Sequence, residues 1–114
     1  MKIEKFEDLI SWQKAREVSL LVYKIFRTNK DFSFRDQLQR AVVSISNNIA
    51  EGFERKSNKE LMQFLYIAKG SCGESRSMLY LAKDLSYISK EEFNILINLL
   101  VEISRLLSGF IKTL

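Results

Sequence analysis

The segment Ser44-Ile45-Ser46-Asn47-Asn48-Ile49-Ala50-Glu51-Gly52 places hydroxyls, amides and a carboxylate in a run that otherwise reads as buried helix. Such groups can hydrogen-bond, ligate a cation or move a proton, so this stretch comes first as a site of chemistry. At helical spacing Ser44, Asn48, Glu51 and Arg55 share a face, with Ala41, Val42, Ile45 and Ile49 forming an apolar face beside it. A buried polar group without a partner costs about 1–3 kcal/mol, so the stripe needs partners from another helix. Ser71 and Glu74 are the candidates. Glu51 and Glu74 together would make a carboxylate-only metal site if their helices brought them close. Hydrogen bonding across the helix interface is the plainer use, and the favoured one.

The rest of the chemical inventory is defined by what is missing. The chain has no histidine. That removes Ser-His-Asp and Cys-His nucleophile systems, His-containing zinc sites and the Glu-x-x-His ligation of di-iron bundles. Cys72, the one cysteine, falls on an apolar stripe and reads as a small core residue rather than a nucleophile. Gly70-Ser71-Cys72-Gly73 lies mid-helix with no following Lys-Ser/Thr, so it is not a phosphate-cradling loop. No catalytic, cofactor-binding or metal-ligating set is expected, and the chain does not read as an enzyme.

Two basic clusters are candidates for nucleic-acid contact. Arg55, Lys56 and Lys59 gather at one turn; Arg27, Lys30 and Arg35 gather at another, beside Phe32 and Phe34. Cations there can meet phosphates and the rings can stack on unpaired bases. Alternatively Phe32 and Phe34 staple a helix entry and the charges are solvated, which is the favoured reading for a single subunit. Repetition around a ring would raise the local potential. The formal charge of +4, from 18 basic and 14 acidic residues spread along the chain, permits an acidic partner without demanding one.

These residues must be held by helices. Proline is absent and only four glycines occur among 114 residues, which favours long helices in a single domain spanning 1–114. Ser33-Phe34-Arg35-Asp36, Ser57-Asn58-Lys59-Glu60 and Ser89-Lys90-Glu91-Glu92 each place a serine three residues before an acid, the pattern of a capping box. They predict helices over about 7–28, 34–54, 58–86 and 90–112. Each carries apolar residues at three-four spacing, and the connections are short, so the expected fold is all-α, an antiparallel up-down-up-down four-helix bundle. The glycines Gly70 and Gly73 predict close approach of a neighbouring backbone; Gly52 predicts a helix end. Ile95, Leu99, Val101 and Leu106, with Leu20, Leu21 and Tyr23, fall outside the main stripes and predict a subunit interface. No run of 18 apolar residues predicts a membrane helix, and Met1–Phe6 lacks the apolar region of a signal peptide. A lone cysteine fits the reducing cytoplasm.

The chain resembles the 23S rRNA intervening-sequence protein family, also described as four-helix bundle proteins. The resemblance runs through Asp8-Leu9-Ile10-Ser11-Trp12-Gln13-Lys14-Ala15, then Gln37–Ile45 and Asn48-Ile49-Ala50-Glu51-Gly52. It continues through Lys59-Glu60, Phe64-Leu65, Ile67-Ala68 and Gly70-Ser71 followed by Glu74. It implies a bacterial bundle that assembles into a homo-oligomer, a ring-shaped pentamer, with a poorly defined role. Related bundle proteins turn a basic surface toward nucleic acid and a polymerase, so the resemblance implies RNA or an RNA-bound protein as partner. The chain departs from the pattern in lacking proline before the Asn-Ile-Ala-Glu-Gly segment and in the first inter-helix loop, which leaves that loop's surface open. A protein-only scaffold or adaptor is the alternative function.

Overall fold

The computed structural model describes residues 2–114. Phe6–Asp8 form a single 3-10 turn, followed by four helices: α1 (Ile10–Ile25), α2 (Phe32–Phe53), α3 (Asn58–Asp84) and α4 (Lys90–Lys112). No strand occurs among the described residues. The helices pack in cyclic order, α1 on α2, α2 on α3, α3 on α4 and α4 back on α1. Cross-helix pairs fix their directions. Gln37 meets Glu74 while Ser44, further along α2, meets Ser71, earlier on α3. Likewise Lys69 meets Ser108 and Tyr80 meets Phe93, so α3 and α4 are antiparallel too. The bundle runs up-down-up-down and measures 42 × 23 × 19 Å.

The core follows the three-four spacing of each helix: Ala15, Val18 and Val22; Leu38, Val42, Ile45 and Ile49; Leu65, Ala68, Cys72 and Leu79; Leu96, Leu100, Ile103 and Leu107. Each fully buried Leu or Ile contributes roughly 1.5–3 kcal/mol relative to exposure. α4 is long and apolar enough, by length and composition alone, to cross a membrane, with an 18-residue window of mean hydropathy 1.5. Within the bundle its Phe93, Leu96, Leu100, Ile103 and Leu107 stripe is instead spent on the core.

Two of the three predicted caps form. Ser57 accepts the Glu60 amide at 3.2 Å. At Ser89 both halves of the capping box are present, with Glu92 N–H donating to Ser89 Oγ at 3.0 Å and Ser89 N–H to Glu92 Oε1 at 2.9 Å. The third is corrected. Ser33 lies inside α2, whose cap is Asp31, accepting from the Phe34 amide at 3.2 Å. Asp31 prevails because Tyr87 Oη donates to its other carboxylate oxygen at 2.6 Å, tying the α1–α2 connection to the α3–α4 connection.

The predicted helix limits shrink for local reasons. Leu9 is extended and separates the 3-10 turn from α1, which stops at Ile25 rather than 28. α3 stops at Asp84 rather than 86, because Ser86 adopts a left-handed φ of 60°. The Tyr87 amide then reaches back to Ala82 O at 2.8 Å and the Ser86 amide to Lys83 O at 3.0 Å, a Schellman closure.

Candidate functional site: a polar seam and the basic surfaces

The seam between α2 and α3 is smaller than the sequence predicts. Asn48 Nδ2 donates to Ser44 O at 2.7 Å and to Ser44 Oγ at 2.9 Å; Ser71 Oγ donates to Ser44 Oγ at 3.0 Å. Ser75, fully buried, donates to Ser71 O at 2.8 Å. Ser44 is thus the acceptor joining both helices. Gln37 extends the contact outward with a long 3.4 Å bond to Glu74.

Glu51 is not part of this seam. It is exposed and pairs with Arg55 one turn on, at 3.8 Å. Since Glu74 stands opposite Gln37, fourteen residues before Glu51, the two carboxylates lie about 20 Å apart along the bundle axis. The helix register therefore does not assemble the carboxylate pair. No group of three His, Cys, Asp or Glu residues able to hold a metal occurs among the described residues.

The glycines divide differently from expectation. A Cβ on Gly52 would stand 2.6 Å from Phe64 Cβ and 3.2 Å from Leu61 Cδ1, so this is where α2 and α3 approach closely. Gly52 also lies in the last turn of α2, one residue before its end at Phe53, as the sequence predicts. A methyl added at Gly70 or Gly73 would have nothing within 4 Å of it, so these two admit no neighbouring backbone within the subunit. Both face outward from α3, on the side carrying exposed Tyr66, Ile67, Tyr80 and Leu81.

Cys72 is fully buried, and its burial pushes the thiol up to about 12 against the opposing pull of the nearby Arg76 and Lys69 charges. A thiol held protonated in this way is a poor nucleophile.

The two basic clusters lie at opposite ends of the bundle. At the first, Arg35 is largely engaged: it bonds Asp36 Oδ1 at 3.4 Å and stacks 4.8 Å from the Phe32 ring centroid. Arg27 and Lys30 are exposed and unpaired among the described residues. Phe34 is taken up by packing against Phe26 and Tyr87, with centroids 6.2 and 5.5 Å away, which removes it as a base-stacking platform. Phe32 remains exposed. At the other end Arg55 is held by Glu51 and lies 4.8 Å over Phe64, while Lys56 and Lys59 make no ion pair among the described residues.

A third basic surface is not evident from the sequence. Between α3 and α4 a groove of about 450 Å³ is lined by Arg76, Ser104, Arg105, Ser108 and Lys112, with Val101 and Gly109. Its cations are far apart in the chain, and only the α3–α4 pairing gathers them. The i, i+7 spacings Lys69–Arg76 and Arg105–Lys112 were the available signal, each placing two cations on one helix face.

A model of the 23S rRNA-intervening sequence protein family matches residues 7–109. The chain belongs to this family. Among solved structures it is similar to a protein of unknown function from the S23 ribosomal protein family of Bacteroides thetaiotaomicron VPI-5482. That likeness has a TM-score of 0.85 and 28% identity over 90% of this chain and 99% of that one. No functionally curated protein matches the chain. Of the segments that carry the resemblance, Asn48 and Ser71 fall on the seam, Gly52 on the close α2–α3 approach and Gly70 on the α3 outer face.

Proposed function

We propose that this family member is a non-catalytic binding module that works in the cytoplasm as a homo-oligomer, a pentameric ring, and associates with RNA or a ribonucleoprotein through basic surface residues. The observation that carries the reading is the set of exposed cations without an acidic partner among the described residues: Arg27 and Lys30 at one end, Lys56 and Lys59 at the other. Solvated lysines and arginines of this kind meet phosphates without first breaking ion pairs. Assembly is supported by apolar side chains left in solvent, among them Ile10, Leu20 and Tyr23 on α1, Tyr66 and Ile67 on α3 and Ile95 on α4.

Titration with structured and single-stranded RNA at low salt tests this. Binding should weaken steeply as salt rises, through counterion release. Charge reversal at Arg55, Lys56 and Lys59 should weaken it without unfolding the bundle. Absence of association at low salt would refute the RNA reading.

A protein-only scaffold is the second reading, favoured by the two outward apolar pairs Tyr66–Ile67 and Tyr80–Leu81 on α3. It predicts a specific protein retained in pull-downs after nuclease treatment, with little response to salt. Co-purification from the native cell, measuring mass and nucleic-acid content together, separates the two.

A further inference from the structure

The α3–α4 groove differs from the bundle ends in being a concave surface with cations on both walls. Arg76 stands on the α3 wall; Arg105 and Lys112 stand on the α4 wall. Lys69 joins them by donating from Nζ to Ser108 Oγ at 2.6 Å. Among the described residues, none of the four makes an ion pair and no carboxylate lines the groove. The one acid of α4 beyond its first turn, Glu102, lies one turn before Arg105 on the α1 side of the groove, where it pairs with Lys14 of α1 at 3.4 Å.

The floor is built from small groups. Ser104 and Ser108 present hydroxyls, and Gly109 leaves the α4 backbone bare, with nothing within 4 Å of where its methyl would be. Gly109 lies in the last turn of α4, and nothing inside the subunit packs against it. The cations are staggered along the groove. Because Lys69 lies opposite Ser108 on the antiparallel helix, the helical rise places them in the order Lys112, Lys69, Arg105, Arg76, at steps of about 5–6 Å along the axis. A row of cations along a groove, with hydroxyl donors among them, suits a succession of phosphates better than a single one.

We propose that this groove is where the protein grips a nucleic-acid strand, its arginines and lysines contacting consecutive phosphodiesters and its serine hydroxyls donating to their oxygens. The proposal rests on the RNA reading above and moves the contact from the bundle ends to one face. Arginine supplies forked donors matched to phosphate oxygens, and such contacts read backbone rather than base.

The test is fluorescence anisotropy of the intact protein with labelled poly(U) and oligo(dT) across a salt series. It compares wild type, Arg76→Gln/Arg105→Gln, Lys112→Gln and Arg55→Gln/Lys56→Gln/Lys59→Gln, each checked for native helicity and melting. The groove double variant should lose affinity by about tenfold or more at low salt, with its log–log salt slope smaller by about 1.4. Lys112→Gln should show a smaller loss in the same direction, and the triple end variant should bind more tightly than the double. RNA and DNA should suffer alike, because phosphates rather than 2′-hydroxyls are read. Wild-type binding that survives in the groove variants, or falls equally when the three end charges are removed, overturns the groove assignment and leaves the RNA reading standing. Failure of the wild type to bind either strand overturns both.

Discussion

Single atoms decide how the seam behaves. Ser44 Oγ takes hydrogen bonds from Asn48 and Ser71 at once, so Asn48→Ala should cost about 1–2 kcal/mol and lower the melting temperature. An Asn48→Ala protein that melts like wild type would show that the bonds contribute nothing net. Gly52 is the sharper case. A methyl there meets the root of the Phe64 side chain at 2.6 Å, which cannot swing away, so the helices themselves must part. Gly52→Ala should destabilise by about 1–3 kcal/mol despite alanine's better helix propensity, as chemical denaturation would read out. The polar residues Ser44, Asn48 and Ser71 were legible in the sequence from their spacing. Glu51 was not, because it shares their face but lies beyond the serine contacts toward the end of α2, where it is exposed and pairs with Arg55. The roles of Gly52 and Gly70 were also hidden, since glycine type alone does not reveal what stands opposite it.

Helix ends show the same division between local and distant causes. The caps at Ser57 and Ser89 were readable because serine, amide and acid lie within four residues. The start of α2 was not, because Asp31 is fixed by Tyr87, 56 residues away. That pair gives a pH signature. The Tyr87 hydroxyl first, and the Phe34 amide second, hold the Asp31 carboxyl below its usual 3.8. Its contribution is therefore complete above that value and disappears as pH falls through the depressed one. The same bond raises Tyr87 above its usual 10.0, so this share is complete below 10.0 and disappears as pH rises through the raised value. The melting-temperature gap between wild type and Tyr87→Phe should be widest in the neutral range and narrow toward both extremes. A gap independent of pH would mean the pair adds only packing. At the next residue back, Ser86 holds a left-handed φ that glycine adopts without strain. Ser86→Gly should stabilise by about 1 kcal/mol, seen as a higher denaturation midpoint.

On the molecular scale, the bundle fold was legible because every helix repeats its apolar residues at three-four spacing around a common core. The outer faces were only partly so. Leu99, expected outside the core, is buried, whereas Ile95, Leu20 and Tyr23 are in solvent as expected. The groove cations were not legible because they belong to two helices whose relative register no local pattern encodes. Gly70 tests where subunits meet. Within one chain a methyl at Gly70 meets nothing, so Gly70→Ala alone should add up to about 1 kcal/mol of helix stability. Exposed Tyr66 and Ile67 put the α3 outer face among the surfaces proposed for assembly, and an interface there predicts that the same substitution reduces the mass measured by light scattering. Unchanged mass with a higher melting temperature would place the interface on another face.

The cyclic packing order has a kinetic consequence. Three of the four helix interfaces join neighbours along the chain and close over short connections, whereas α1 meets α4 only after the whole chain has turned back. Local hairpins form fast and distant closure last, so folding should take microseconds to milliseconds, with α1 docking on α4 as the late event. That edge, pinned in part by the partly exposed Lys14–Glu102 pair, is then the one from which the native molecule first opens, lending α1 to exchange with another copy.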